Sequence, residues 1–190
     1  MTALRLRPLR VEDEAVVLAA HDAMAAEGFA FLLGYDGQPF ADVVRLHHQA
    51  ASGLDLGAGL VPATFLVAEV DGQVVGRASI RHELNEHLAR EGGHIGYGVI
   101  AEHRRRGCAT EILRQALVVA RSLGVDRALL TCDDHNVGSI RAIEANGGAL
   151  QDVIDVSGSR LRRYWIDGAG SGNSLGAATG HGYRRRHDPA

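Results

Sequence analysis

Residues 96–117 read GYGVIAEHRRRGCATEILRQAL. Arg104-Arg105-Arg106 runs into Gly107-Cys108-Ala109, after which Ile112, Leu113, Ala116 and Leu117 recur at helical spacing. The first turn of a helix carries unpaired backbone N–H groups and the positive end of the helix dipole. Gly107 and the small Ala109 let an anion approach that backbone, and the arginines add charge and hydrogen bonds. The chemistry indicated is phosphate binding. It is not that of a P-loop, because all 20 basic residues are arginine and the chain has no lysine. The same absence removes Schiff-base and lysine-base catalysis.

A second cluster, His82-Glu83-Leu84-Asn85-Glu86-His87, could hold a metal only if its histidines shared a face. They lie five apart, off one helical face, so no metal site is expected. Cys108 and Cys132 read as small buried residues.

The elements that must position these groups follow from periodicity. Leu4 to Leu9 alternates apolar and basic residues and reads as a strand. Glu12 to Glu27 and Phe40 to Ala51 have helical spacing, separated by the aromatic, glycine-rich stretch Phe29 to Gln38. Thr64 to Val70 and Val74 to Ile80 are strands around an Asp71-Gly72 turn. His82 to Gly93 is a short helix or long turn. His94 to Ile100 is a strand whose Gly96 and Gly98 suggest a bulge or the close approach of a ligand. Gly107 to Leu123 is a helix, Val125 to Cys132 an apolar strand, and Asn136 to Asn146 a helix. Leu150 to Val156 and Arg160 to Ile166 close the order as two strands. This is an α/β chain with a mixed sheet.

Within that order, Arg104-x-x-Gly107-x-Ala109 resembles the Q/R-x-x-G-x-G/A signature of the GNAT acyltransferases. Asn136-Val137-Gly138-Ser139-Ile140 with Glu144-x-x-Gly147 resembles that family's N-x-x-A … E-x-x-G segment. The likeness runs from about Leu4 to Asp167. It implies a mixed, mostly antiparallel sheet of six to seven strands with helices on both faces. It also implies a V-shaped splay between two parallel strands, one ending at Val99-Ile100 and the other at Thr131-Cys132. The implied cosubstrate is acetyl-CoA or another acyl-CoA. Tyr97, Gly98 and Val99 would meet the pantetheine arm, Arg104, Arg105, Arg106, Gly107, Cys108, Ala109 and Thr110 the pyrophosphate, and Asn136 the pantetheine.

The resemblance further implies direct attack of an amine on the thioester, with a base taking the amine proton and backbone N–H groups near Val99 polarising the carbonyl. The sequence departs from the family at two catalytic positions. Ile143 stands where many relatives have a tyrosine acid, and Thr131 where some have a glutamate. His94, His82 and Glu83 are the candidate bases, and Tyr164 and Cys132 the candidate acids, with water an alternative donor.

Composition narrows the rest. The 190 residues are 46% hydrophobic and 23% charged, which fits one domain with its own core. Two cysteines exclude a disulfide scaffold, and no apolar run reaches membrane-spanning length. A soluble cytoplasmic protein is the expectation, with a domain over 1–167 and a flexible Gly/Arg-rich tail over 168–190. The net charge of −3 divides into about −5 for the domain and +2 for the tail, which is compatible with a cationic amine and argues against nucleic acid. Two functions stay open: an acetyl-CoA-dependent N-acetyltransferase acting on an amine of a small molecule or protein, and a non-catalytic acyl-CoA-binding module. A homodimer is compatible with either.

Overall fold

The computed structural model describes residues 3–54 and 56–168. The elements are β1 (Arg5–Pro8), α1 (Glu14–Ala25), α2 (Phe40–Ala51), β2 (Ala63–Val70), β3 (Gln73–Arg81) and β4 (Ile95–Val99), then α3 (Cys108–Ser122), β5 (Arg127–Asp133), α4 (Val137–Ala145), β6 (Ala149–Val156) and β7 (Ser159–Asp167). This is the order read from periodicity. Boundaries shift by one or two residues, and a 3-10 turn, Val11–Asp13, precedes α1. The Asp13 carboxylate holds that turn by accepting the Arg10 N–H at 2.9 Å and two hydrogen bonds from Arg7 at 2.7 Å. The tail expected from residue 168 lies, beyond Gly168, outside the described residues.

The strands form two sheets, β1-β2-β3-β4 and β5-β7-β6, and every ladder is antiparallel. Helix α3 carries the chain from β4 to β5. Those two strands meet just ahead of β4. The His94 N–H donates to the Leu129 carbonyl at 2.7 Å, and the Leu129 N–H donates to His94 Nδ1 at 2.9 Å. Beyond this joint β4 and β5 share no ladder, which is the splay the resemblance implies. Gly93 makes the joint tight: its φ is 64°, and a Cβ there would lie 2.5 Å from the Leu129 carbonyl oxygen.

Two cores flank the first sheet. On one face α3 buries Ile112, Leu113, Ala116 and Ala120 against Ala78, Ile80 and Ile95, and the same core continues to Leu130, Tyr164 and Ile166 of the second sheet. On the other face α1, α2 and the loop after α1 bury Val17, Met24, Phe31 and Val43 against Phe65, Val67 and Val74. Strand β3 is therefore covered on both sides, and every residue from Val74 to Ile80 is buried. A fully buried Leu, Ile or Phe contributes about 1.5–3 kcal/mol, so α3 and the aromatic loop are the main clamps on this sheet.

The glycines of β4 serve this packing. A Cβ on Gly98 would lie 2.6 Å from the Phe29 ring, so the missing side chain admits that ring to the strand. The close approach that the sequence reading assigned to a bulge or a ligand is made by the chain's own Phe29.

Candidate active site

The turn between β4 and α3 is built from two left-handed residues. Arg105 has φ 62° and Gly107, the N-cap of α3, has φ 81°. Successive N–H groups in such a turn point into one concavity, which suits an anion. The first N–H of α3 to find a carbonyl is that of Glu111, on Gly107 at 3.1 Å. Among the described residues, the N–H groups of Arg105, Arg106, Gly107, Cys108, Ala109 and Thr110 have no protein acceptor. The side chains of Arg105 and Arg106 are exposed and make no ion pair. Arg104 differs from them. Its Nε donates to the Val99 carbonyl at 3.1 Å, and its two terminal nitrogens hold Glu27 at 3.2 and 2.7 Å. Its guanidinium is committed to fixing the turn against β4 and α1.

The register of β4 decides which of its backbone groups face the splay. The Arg81 N–H bonds the His94 carbonyl, and the Ile100 N–H bonds the Val75 carbonyl. With the paired register between, Gly96 and Gly98 turn their N–H and C=O toward β3, while Tyr97 and Val99 turn theirs to the opposite edge. Gly98, named with its neighbours as a pantetheine contact, is thus occupied by β3. The Tyr97 hydroxyl crosses the gap and donates to the Ser139 carbonyl of α4 at 3.3 Å. Burial pushes this hydroxyl up to about 12, so it is a donor at neutral pH.

Asn136 caps α4, its Oδ1 accepting the Ser139 N–H at 3.0 Å. The residue is exposed, and its Nδ2 is free to donate elsewhere. Asn146 ties the two helices together, donating to the carbonyls of Thr110 at 3.1 Å and Ala142 at 2.8 Å. Thr131 is held by the Glu91 carbonyl at 2.7 Å. Ile143 is buried in the core at 1% exposure.

The expected proton-transfer residues do not converge. His94 is buried at the joint, and its Nδ1 already accepts the Leu129 N–H, so protonation there would break the joint. Burial, then Arg81, lowers its pKa and keeps it neutral. The Nε2 of His82 lies 2.9 Å from Thr64 Oγ1, on the α3 face of the sheet. Tyr164 is fully buried, donating to Glu144 at 3.2 Å and accepting from Arg162 at 3.3 Å. Burial pushes the Cys132 thiol up to about 11, so it stays protonated at neutral pH. Glu83 is exposed. No group of three or more metal-ligating side chains occurs among the described residues.

Three residues that sequence reading passed over line the opposite face. Arg77 and Arg81 lie on the same side of β3, over Gly96, and His47 of α2 stacks on Phe65 with ring centroids 4.3 Å apart. The sequence carried no local signal for them, since the cover that buries Arg77 comes from α1, α2 and the loop after α1.

A strand–turn–helix turn rich in acceptor-free N–H groups, beside a split sheet, defines a class of site suited to a phosphate-bearing ligand. Comparison with known proteins makes it specific. The acetyltransferase (GNAT) family profile matches residues 23–147, and the chain belongs to this family. The fold is similar to that of yncA from Salmonella typhimurium, solved with its cofactor acetyl-CoA. That match has 16% identity, covers 87% of this chain and 94% of that one, and has a TM-score of 0.62. Mycobacterium smegmatis RimJ, in complex with CoA-disulfide, is 20% identical over 90% of this chain and 85% of its own, with a TM-score of 0.66. The ribosomal-protein-alanine N-acetyltransferase of Brucella melitensis is 19% identical over 86% of this chain and 99% of its own, at 0.62. No curated protein sequence matches the chain. No helix among the described residues is long and apolar enough to cross a membrane.

Proposed function

We propose that the chain is an N-acetyltransferase that binds acetyl-CoA and an amine together and transfers the acetyl group directly. The observation that carries this reading is the run of acceptor-free N–H groups from Arg105 to Thr110 around the left-handed Arg105 and Gly107. Acetyl-CoA supplies the acyl group as a thioester. The N–H groups of Arg105 to Thr110, with the Arg105 and Arg106 side chains, hold the pyrophosphate. The outward edge of Tyr97 and the Val99 N–H extend β4 along the pantetheine, with the Asn136 amide opposite. Arg104 acts as a positioning residue for the turn.

His94, His82 and Tyr164 are each engaged in structural bonds, so the amine proton passes to water and the free-base amine is the reactant. The expected result is a kcat/KM that rises about tenfold per pH unit up to the amine's own pKa. A plateau set near pH 6–7 would assign a histidine base instead.

Thiol release from acetyl-CoA, measured across a panel of amines, tests the reading. Release above buffer with at least one amine supports it. Acetyl-CoA binding with no release for any amine would leave the acyl-CoA-binding module. In Gly107→Asp, a carboxylate and a strained left-handed side chain meet the pyrophosphate. Roughly 100-fold weaker CoA binding is expected, about 2.7 kcal/mol. Unchanged affinity in the folded variant would sink the assignment of this turn.

A further inference from the structure

Arginines partly or wholly withdrawn from water in this fold have carboxylate partners. Arg7 lies between Asp13 and Glu69, Arg162 pairs with Asp134, and Arg163 pairs with Asp152. Arg77 and Arg81 break that rule. Arg77 is 4% exposed, and neither it nor Arg81 has an ion pair among the described residues. The Nη1 of Arg77 donates to the Gly96 carbonyl at 3.0 Å, its Nη2 donates to the Ala30 carbonyl at 2.8 Å, and its carbon centre sits 4.5 Å from the Phe29 ring. Its Nε has no partner. Only Nη1 of Arg81 is engaged, in two long bonds of 3.3 Å to the Gly92 and Gly93 carbonyls.

The two guanidiniums come together over Gly96 through their Nη1 atoms, each of which already donates to a backbone carbonyl. A Cβ at Gly96 would lie 3.5 Å from Nη1 of each. Among the described residues, the buried side-chain atoms left without a hydrogen-bond partner are Arg77 Nε and His47 Nε2. Both belong to one aromatic cluster: His47 stacks on Phe65, and the Arg77 carbon centre lies 6.0 Å from the same ring. A buried charge without a counter-charge is costly, and a buried donor without an acceptor costs about 1–3 kcal/mol. Carbonyls and Phe29 explain two nitrogens of Arg77. They do not explain its Nε, the His47 Nε2, or the unengaged side of Arg81.

We propose that Arg77, Arg81 and His47 form an anion subsite for the acceptor, so that the amine acetylated by this protein carries a carboxylate within a few bonds of its nitrogen. The inference rests on the acetyl-transfer reading above. Its placement fits that reading, because Gly96 is one strand position, about 3.3 Å, before Tyr97, whose outward edge faces the splay. The acidic balance of the whole domain is compatible with a cationic acceptor, but the local charge beside β4 is positive.

The test pairs each common amino acid with its decarboxylated twin, such as L-phenylalanine with phenethylamine and L-leucine with isoamylamine. Binding to the full chain is measured by calorimetry with CoA present. At least one amino acid is expected to bind ten times or more tighter than its twin. Arg77 is buried deeply enough that its loss threatens folding, so Arg81→Gln carries the test. It should erase the preference, and Arg81→Lys should restore part of it, with CoA affinity serving as the control for folding. Equal binding of all twins, a preference that survives Arg81→Gln, or inorganic phosphate binding as tightly as any amino acid would each overturn the subsite. Calorimetry separates this failure from that of the acetyl-transfer reading, which thiol release decides.

Discussion

The protein carries two arginine clusters that obey opposite rules. Arg105 and Arg106 stand in water at the head of α3 and have no side-chain partner among the described residues. Arg77 and Arg81 lie on a strand covered on both faces and likewise have no carboxylate partner among the described residues. In the first cluster solvent carries the charge, so an unpaired guanidinium costs little, and a bound anion gains mainly from the backbone N–H groups beside it. In the second cluster there is little solvent to carry it. Burial, then Arg81, pulls Arg77 down to about 9, which still leaves it charged at neutral pH. The same side chain thus marks a site by its neighbours in one place and by its lack of them in the other.

The sharpest probe of the buried cluster is pH. Burial, then Arg77, lowers His47 to about 4 from an ordinary value near 6.5. A histidine held neutral in the fold takes up a proton on unfolding. Its contribution is therefore full above pH 6.5 and is lost as pH falls toward 4. We expect a loss on the order of 2–3 kcal/mol across that window, read from urea midpoints. His47→Phe keeps the stack on Phe65 and should make the curve shallower, leaving the same-sign contributions of His94 and His82, whose pKa values burial also lowers. An equally steep curve in that variant would show that His47 is not the titrating group. The carboxylates of Asp13, held by Arg7 against the opposing effect of burial, and of Glu69, held by Arg7 and Arg5, take over only at lower pH.

Gly98→Ala is next in size. The added methyl must displace Phe29 from β4, and with it the ring beneath the Arg77 guanidinium. Overpacking of this kind costs about 1–3 kcal/mol. Thermal unfolding should show the loss, while CoA affinity stays within twofold, because the turn before α3 is untouched. A variant as stable as the parent would mean that the ring yields freely.

The exposed cluster should respond to salt instead. Double replacement of Arg105 and Arg106 by alanine is expected to weaken CoA binding about tenfold at low salt and much less at 1 M, where the Debye length is about 3 Å. Stability should change by less than about 0.5 kcal/mol. A salt-independent loss would mean that the two side chains shape the turn rather than attract the anion.

This contrast also explains what the sequence disclosed. The turn at Arg104–Gly107 was readable because strand, glycine and amphipathic helix are local signals within a dozen residues. Helix α3 was readable for the same reason, ending one residue from its expected stop at Leu123. Arg77 and Arg81 were not, because their burial depends on Phe29, Ala30 and His47, which are 30 to 52 positions away in the chain, and on α2 covering a face the sequence left unassigned. The separate role of Arg104 was hidden likewise, since Glu27 is 77 residues distant. His94 drew notice for its ring chemistry, while its position at the sheet joint is a fact of topology.

That joint has a mechanical meaning. One backbone bond and one imidazole fasten the two sheets at the base of the splay, while the core around α3 spans both. The far ends of β4 and β5 are joined by no ladder. Past that fastening, what spans the gap from β4 to the second half of the fold is side-chain packing and the Tyr97 hydroxyl on Ser139, not strand pairing.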